Sequence, residues 1–188
     1  MMKRLFMKGI LVLVMVAGLA LPGVSFVSAG QCVPAELSDA ERDSLIFMRE
    51  EEKLARDVYT YLSGLYQIRI FSNIARSEQR HMDAIKALLD RYNIADPVGG
   101  NGPGVFTDSG ILALYNQFIA EGSQSLIDAL QVGVQIEEAD IEDLQNGLLA
   151  LDDNKDIKRV YQNLLRASQK HLASFTTVLS KYEASVEP

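Results

Sequence analysis

The sequence predicts an all-α protein, a bundle of four long helices with a long connection and a short extra helix between the second and the third. Three observations carry this. Apolar residues recur at three- and four-residue steps over four separate stretches, the period of helices that bury one face. No segment alternates apolar and polar residues between turn signals as a strand would. The strong helix breakers are densest in one place, with six within nine residues, Asp96-Pro97-Val98-Gly99-Gly100-Asn101-Gly102-Pro103-Gly104, which must be a loop.

The N-terminal stretch is of a different kind. Lys3, Arg4 and Lys8 precede an almost wholly apolar run from Gly9 to Val27, and Val27-Ser28-Ala29 places small residues where a signal peptidase cuts. Such a run is nearly long enough to span a bilayer, so a permanent anchor is the competing reading. Pro22 and Gly23 near its end favour cleavage. The expected organisation is a signal peptide over residues 1–29, a tail over 30–37 and the bundle over 38–183, with cleavage near Ala29-Gly30. The mature chain is then secreted or periplasmic, without stable membrane association. Gly30 and Gln31 ahead of Cys32 do not fit a lipoprotein signal, which leaves Cys32 a free thiol or half of an intermolecular disulfide.

The first long helix starts at Ser38, which with Glu41 has the spacing of a capping box. Leu45, Met48, Glu52, Ala55, Tyr59 and Leu62 form its stripe, and Gly64 weakens the pattern near the end. The second starts around Ser72 and carries Ile74, Glu78, His81, Ile85 and Leu88. After the loop, a short helix runs from about Ser109 to Ala120 and ends at Gly122. The third long helix starts near Ser125 and carries Leu130, Val134, Glu137, Ile141, Leu144 and Leu148. Asp152-Asp153-Asn154 breaks it and caps the fourth, striped by Tyr161, Leu164, Ser168, His171, Phe175 and Val178. The long connection falls where a crossover along a ferritin-like four-helix bundle sits.

Composition narrows the function. The chain has 188 residues, 48% hydrophobic and 23% charged, enough for one buried core and short for two. A lone cysteine excludes a disulfide scaffold. The net charge is −7, and residues 1–29 hold three of the 18 basic residues and none of the 25 acidic ones, so the mature chain stands at −10. That excess of anionic groups excludes a general nucleic-acid binder. The glycine-rich loop lacks a following Lys-Ser or Lys-Thr and is no phosphate cradle. No Ser-His-acid arrangement is compelling, because both histidines lie on inward stripes.

The polar residues on those stripes carry the chemistry. A carboxylate pointed into a bundle core is costly unless it is paired or bound to a metal. Glu52, Glu78 and Glu137 lie on the inward stripes of three different helices, and His81 and His171 on the stripes of two. Glu78 and His81 form Glu-x-x-His, one turn apart and facing the same way. Ser77-Glu78-Gln79-Arg80-His81-Met82 is echoed by Ala167-Ser168-Gln169-Lys170-His171-Leu172, a weak duplication that places the two histidines on opposite sides of one centre. Together these residues form the ligand pattern of di-metal carboxylate bundles. Beside them, Asp140 is a candidate hydrogen-bond partner for a histidine's free nitrogen, or a surface group. Tyr59 is a candidate partner for a carboxylate, a redox-active neighbour or an aromatic filling the core. Glu51 and Glu138 are expected on the solvated face, and Met48 and Met82 as packing residues.

The stretches Glu50-Glu51-Glu52-Lys53-Leu54-Ala55-Arg56-Asp57-Val58-Tyr59, Ser77-Glu78-Gln79-Arg80-His81-Met82, Ile136-Glu137-Glu138-Ala139-Asp140-Ile141 and Ser168-Gln169-Lys170-His171-Leu172 resemble the ferritin-like family catalogued as domain of unknown function 2202 (DUF2202). The resemblance runs from Ser38 to about Tyr182. More distantly, Glu52-x-x-Ala55-Arg56-x-x-Tyr59 is similar to the first metal-binding helix of rubrerythrins, which favours Glu52 over Glu50 and Glu51 as ligand. In one respect the chain departs from the di-iron pattern. The fourth helix of a full site also offers Glu-x-x-His, and here that glutamate is Ser168, a poor ligand that cannot bridge two ions. Three carboxylates and two imidazoles remain, compatible with two metals, one or none; if the centre is merely weakened, Ser168→Glu restores it.

Two functions follow from this reading. One is a redox protein with one or two iron ions, or manganese, reacting with O2 or peroxide or oxidising Fe2+. The other is a non-catalytic exported bundle, a metal-sequestering or interaction module that has lost a bridging ligand at Ser168; a single Zn2+ favours this role. The oligomeric state, a homo-oligomer included, is open.

Overall fold

The computed structural model describes residues 36–186, and the expected signal peptide, tail and Cys32 lie outside them. Five helices form, with no strands among the described residues: α1 Asp39–Tyr66, α2 Arg69–Arg91, α3 Ser109–Gly122, α4 Leu126–Ala150 and α5 Lys155–Val186. None is long and apolar enough to cross a membrane.

Local chemistry starts and stops each one. Ser38 and Glu41 make the reciprocal capping box, the Glu41 N–H reaching Ser38 Oγ at 3.2 Å and the Ser38 N–H reaching Glu41 Oε2 at 2.9 Å. Asp108 Oδ1 accepts from the N–H groups of Gly110 and Ile111, Ser125 Oγ from Asp128, and Asn154 Oδ1 from Ile157. The helix α1 runs on past Gly64 to Tyr66. Gln67 takes a left-handed conformation (φ 54°) and its N–H bonds Ser63 O at 3.0 Å. With so tight a turn, α2 begins at Arg69, earlier than the expected Ser72.

The apolar side chains form two separate clusters. One contains Leu54, Val58 and Leu62 of α1, Phe71 and Ile74 of α2, Leu130 and Ile136 of α4 and Phe175 of α5. The other contains Leu45 and Met48 of α1, Ile85 and Leu88 of α2, Leu144 of α4 and Tyr161 and Leu164 of α5. Along α1 and α5 the chain passes from the second cluster to the first; along α2 and α4 it passes from the first to the second. Hence α1 is antiparallel to α2 and α4, the long helices it packs on, and α5 is antiparallel to α4 and α2. Since α2 and α4 run the same way, the connection carrying α3 must travel the length of the bundle.

On α4, Gly133 and Gly147 let aromatic rings of α5 lie against the backbone. A Cβ at Gly133 would sit 2.5 Å from the Phe175 ring, and one at Gly147 2.7 Å from that of Tyr161.

The long loop is pinned to α1 by buried charge. Lys53 Nζ donates to Asp57 Oδ2 at 2.5 Å and to Gly102 O at 2.8 Å, and lies 4.3 Å from the Phe106 ring centre. The Gly104 N–H reaches the same Asp57 oxygen at 3.0 Å. Glu50 accepts from the N–H and hydroxyl of Thr107 and from the Asp108 N–H, where α3 starts. Arg49 forks onto Asp96 at 2.9–3.0 Å.

Candidate metal centre

Between the two apolar clusters every long helix contributes polar residues to one buried layer. Glu52 comes from α1, Glu78 and His81 from α2, Glu137 and Asp140 from α4, and Ser168 and His171 from α5. All five expected ligands are brought together. Ligand atoms of Glu52, Glu78 and His81 lie within 4.8 Å of one another, and so do those of Glu78, Glu137 and His171. Glu78 belongs to both sets. Its Oε2 is 2.7 Å from His81 Nδ1 and its Oε1 2.9 Å from His171 Nδ1. The two imidazoles stack with ring centres 5.6 Å apart, as the repeated segment predicts.

The layer fits metal ions in a way hydrogen bonding does not explain. Glu52 Oε1, Glu78 Oε1, Asp140 Oδ1 and His171 Nδ1 are buried without a hydrogen-bond partner. His171 Nδ1 lies near Glu78 and, at 3.5 Å, near Glu137, yet neither oxygen is placed to accept a hydrogen bond from it. Buried polar groups are nearly always satisfied, so four orphaned atoms converging from four helices mark a place for a cation. The donors are carboxylate and imidazole without thiolate, which suits iron, manganese or zinc.

Tyr59 fills core space against Phe71 and Phe175 and also donates from its hydroxyl to Glu137 Oε1 at 2.9 Å. Met48 and Met82 are buried packing residues and Glu138 is exposed, as expected. Glu51 is a correction. It is buried and not on the solvated face, with Oε2 unpartnered, because α4 with Asp140 and Asp143 covers that side of α1. Asp140 is neither a surface group nor a histidine's partner; its hydrogen bond comes from Ser168 Oγ. Two surface clefts, one between α1 and α2 by Arg56 and Gln79 and one by Asp43 and Phe47, are lined by no residue of the layer. His171, its side chain 13% exposed, is the ligand candidate most open to solvent.

Burial and crowding set the protonation states. Burial, then the Glu78 charge, raises Glu137 to about 8 despite His171 beside it. Burial likewise raises Asp140 to about 7 against the opposing Ser168 hydrogen bond. Glu52 is raised by burial and by the charges of Asp140 and Glu78. Burial works against charging His171, yet the facing Glu137 and Glu78 hold it up at about 9. Burial would raise Glu78 too, but the two imidazoles outweigh it and hold the group at about 2.

A carboxyl raised above its unfolded value, 4.5 for Glu137 and 3.8 for Asp140, stabilises the fold below that pH and loses its contribution as pH rises through 7 to 8. His171 loses its contribution between 6.5 and about 9, and Glu78 loses its own only as pH falls from 4.5 towards 2. The metal-free protein is therefore expected to be most stable near pH 5 and to weaken steadily towards pH 9. Denaturant unfolding in chelator across that range checks it; a flat profile contradicts the protonation states above.

Known proteins share this arrangement of chain. Residues 41–188 match the family described as "Uncharacterized protein domain (DUF2202)". The uncharacterized protein MJ0754 of Methanocaldococcus jannaschii is 47% identical over 152 residues, 81% of this chain and 82% of that one. The crystal structure of the hypothetical protein MJ0754 from Methanococcus jannaschii superposes with a TM-score of 0.76 at 47% identity, covering 78% of this chain and 83% of its own. Over residues 41–188, nearly all of the described fold, the chain belongs to the DUF2202 family.

Proposed function

We propose that this is a ferritin-like metal protein whose polar layer holds two iron or manganese ions, and that it serves redox chemistry with O2 or peroxide or the oxidation of Fe2+. The observation that carries the reading is the shared carboxylate. Glu78 turns one oxygen to each of two three-residue ligand sets, in which Glu52 Oε1, Glu78 Oε1 and His171 Nδ1 are buried without a hydrogen-bond partner. The parallel run of α2 and α4, which needs a crossover connection, supports the ferritin-like assignment.

Bound iron or manganese would supply one-electron redox chemistry that no side chain here offers. The chain's own residues do the rest. Glu52 with His81 and Glu137 with His171 flank Glu78; Tyr59 orients Glu137; and the apolar clusters above and below keep water from the layer. The N-terminal signal pattern supports export of the mature chain.

The test is anaerobic loading of purified protein with Fe2+ or Mn2+, elemental analysis after desalting, and then exposure to air or peroxide. Two ions per chain, with Fe2+ oxidised faster than in protein-free buffer, is the expected result. Protein that stays metal-free, or retains only a single Zn2+, overturns the reading. Two ions without faster oxidation leaves metal sequestration as the function.

A further inference from the structure

We propose that Asp140 is the second bridging carboxylate of the centre, standing on α4 in place of a glutamate at residue 168 of α5, and that the Ser168 hydroxyl positions it. The inference rests on the metal reading above. Asp140 lies one turn after Glu137 and so faces the same layer. It is buried, as Ser168 is completely. Ser168 Oγ donates to Asp140 Oδ2, so the aspartate lies directly against the side chain from which a glutamate would extend. The other oxygen, Oδ1, is buried and has no partner. The charges of Glu78, His81 and His171 act on it, and its own acts on Glu51, Glu52 and Glu137, while its oxygens lie outside the two three-residue sets.

Charge balance supports the same assignment. Two divalent ions bring four positive charges into a buried layer, and Glu52, Glu78 and Glu137 bring three negative ones beside neutral imidazoles. An unbalanced charge between two apolar clusters is costly. Ionised Asp140 makes the centre neutral. The serine is thus not the scar of a lost ligand but the donor that orients its replacement. On this reading Ser168→Glu alone would press a carboxylate against Asp140 and weaken the metal-free fold.

Anaerobic Mn2+ titration by equilibrium dialysis, with electron paramagnetic resonance to distinguish coupled ion pairs from isolated ions, tests it. Wild type is expected to take two coupled ions. Asp140→Asn keeps the shape and a hydrogen-bond acceptor for Ser168, and should bind the second ion roughly 100-fold more weakly, at or above the effect of losing a supporting group. Ser168→Ala should weaken the second ion about tenfold and reduce the coupling signal. Moving the carboxylate back, in the double variant S168E/D140A, should restore two coupled ions. If Asp140→Asn and Ser168→Ala both keep two coupled ions at wild-type affinity, Asp140 is no ligand although the metal reading stands. If wild type takes up no ion, both fall together.

Discussion

Glu78→Gln is expected to abolish ion binding in both halves of the centre at once, whereas Glu52→Gln or His171→Ala should cost one ion and leave the other. The difference follows from geometry: each of the latter residues belongs to one three-residue set, and Glu78 belongs to both. Removing a ligand from a set of three should exceed the roughly 10–100-fold loss that follows removal of a supporting group. In the metal-free protein the same change leaves His81 and His171 stacked without the anion that raises both, so each should titrate at lower pH. Dialysis against Fe2+ or Mn2+ and pH titration of the histidine NMR signals read the two effects separately. A Glu78→Gln protein holding two ions at wild-type affinity would refute the shared-carboxylate assignment.

The largest loss of stability away from the centre is expected at Asp57. It is buried, accepts from Lys53, Arg56 and the Gly104 N–H, and faces a Lys53 side chain that is wholly buried. Asp57→Ala leaves that ammonium in the interior without its counter-charge, a change worth about 3–5 kcal/mol. For a domain of this size the melting temperature should fall by roughly 10 °C. Lys53→Met should cost less, because Asp57 keeps Arg56 and the loop N–H, and the apolar chain can still lie against Phe106. Thermal unfolding of both variants tests the order. An Asp57→Ala protein as stable as wild type would show that the loop is held by other contacts.

Much of this architecture is legible along the chain because helices announce themselves locally. The capping box at Ser38, the breakers from Asp96 to Gly104 and the stripes through Glu52, Glu78 and His171 depend on neighbours within a few residues. The run Glu50-Glu51-Glu52 marks where such reading stops. Successive helical residues point about 100° apart, so one inward face admits only Glu52. Yet all three are buried, because α1 is covered on several sides: Glu50 by the start of α3, Glu51 by α4 and Glu52 by His81 of α2. Gly133 and Gly147 become sites of close approach only once α5 lies against them.

The same boundary runs through the centre itself. Periodicity names Glu52, Glu78, His81, Glu137 and His171 as inward residues, since each direction follows from its place on its own helix. Periodicity says nothing about which atoms of different helices meet. That Glu78 stands between both histidines, and that Ser168 meets Asp140 of the neighbouring helix, depend on the distance and rotation between helices. Those are set by how side chains of all four interdigitate, which no spacing along a single helix encodes.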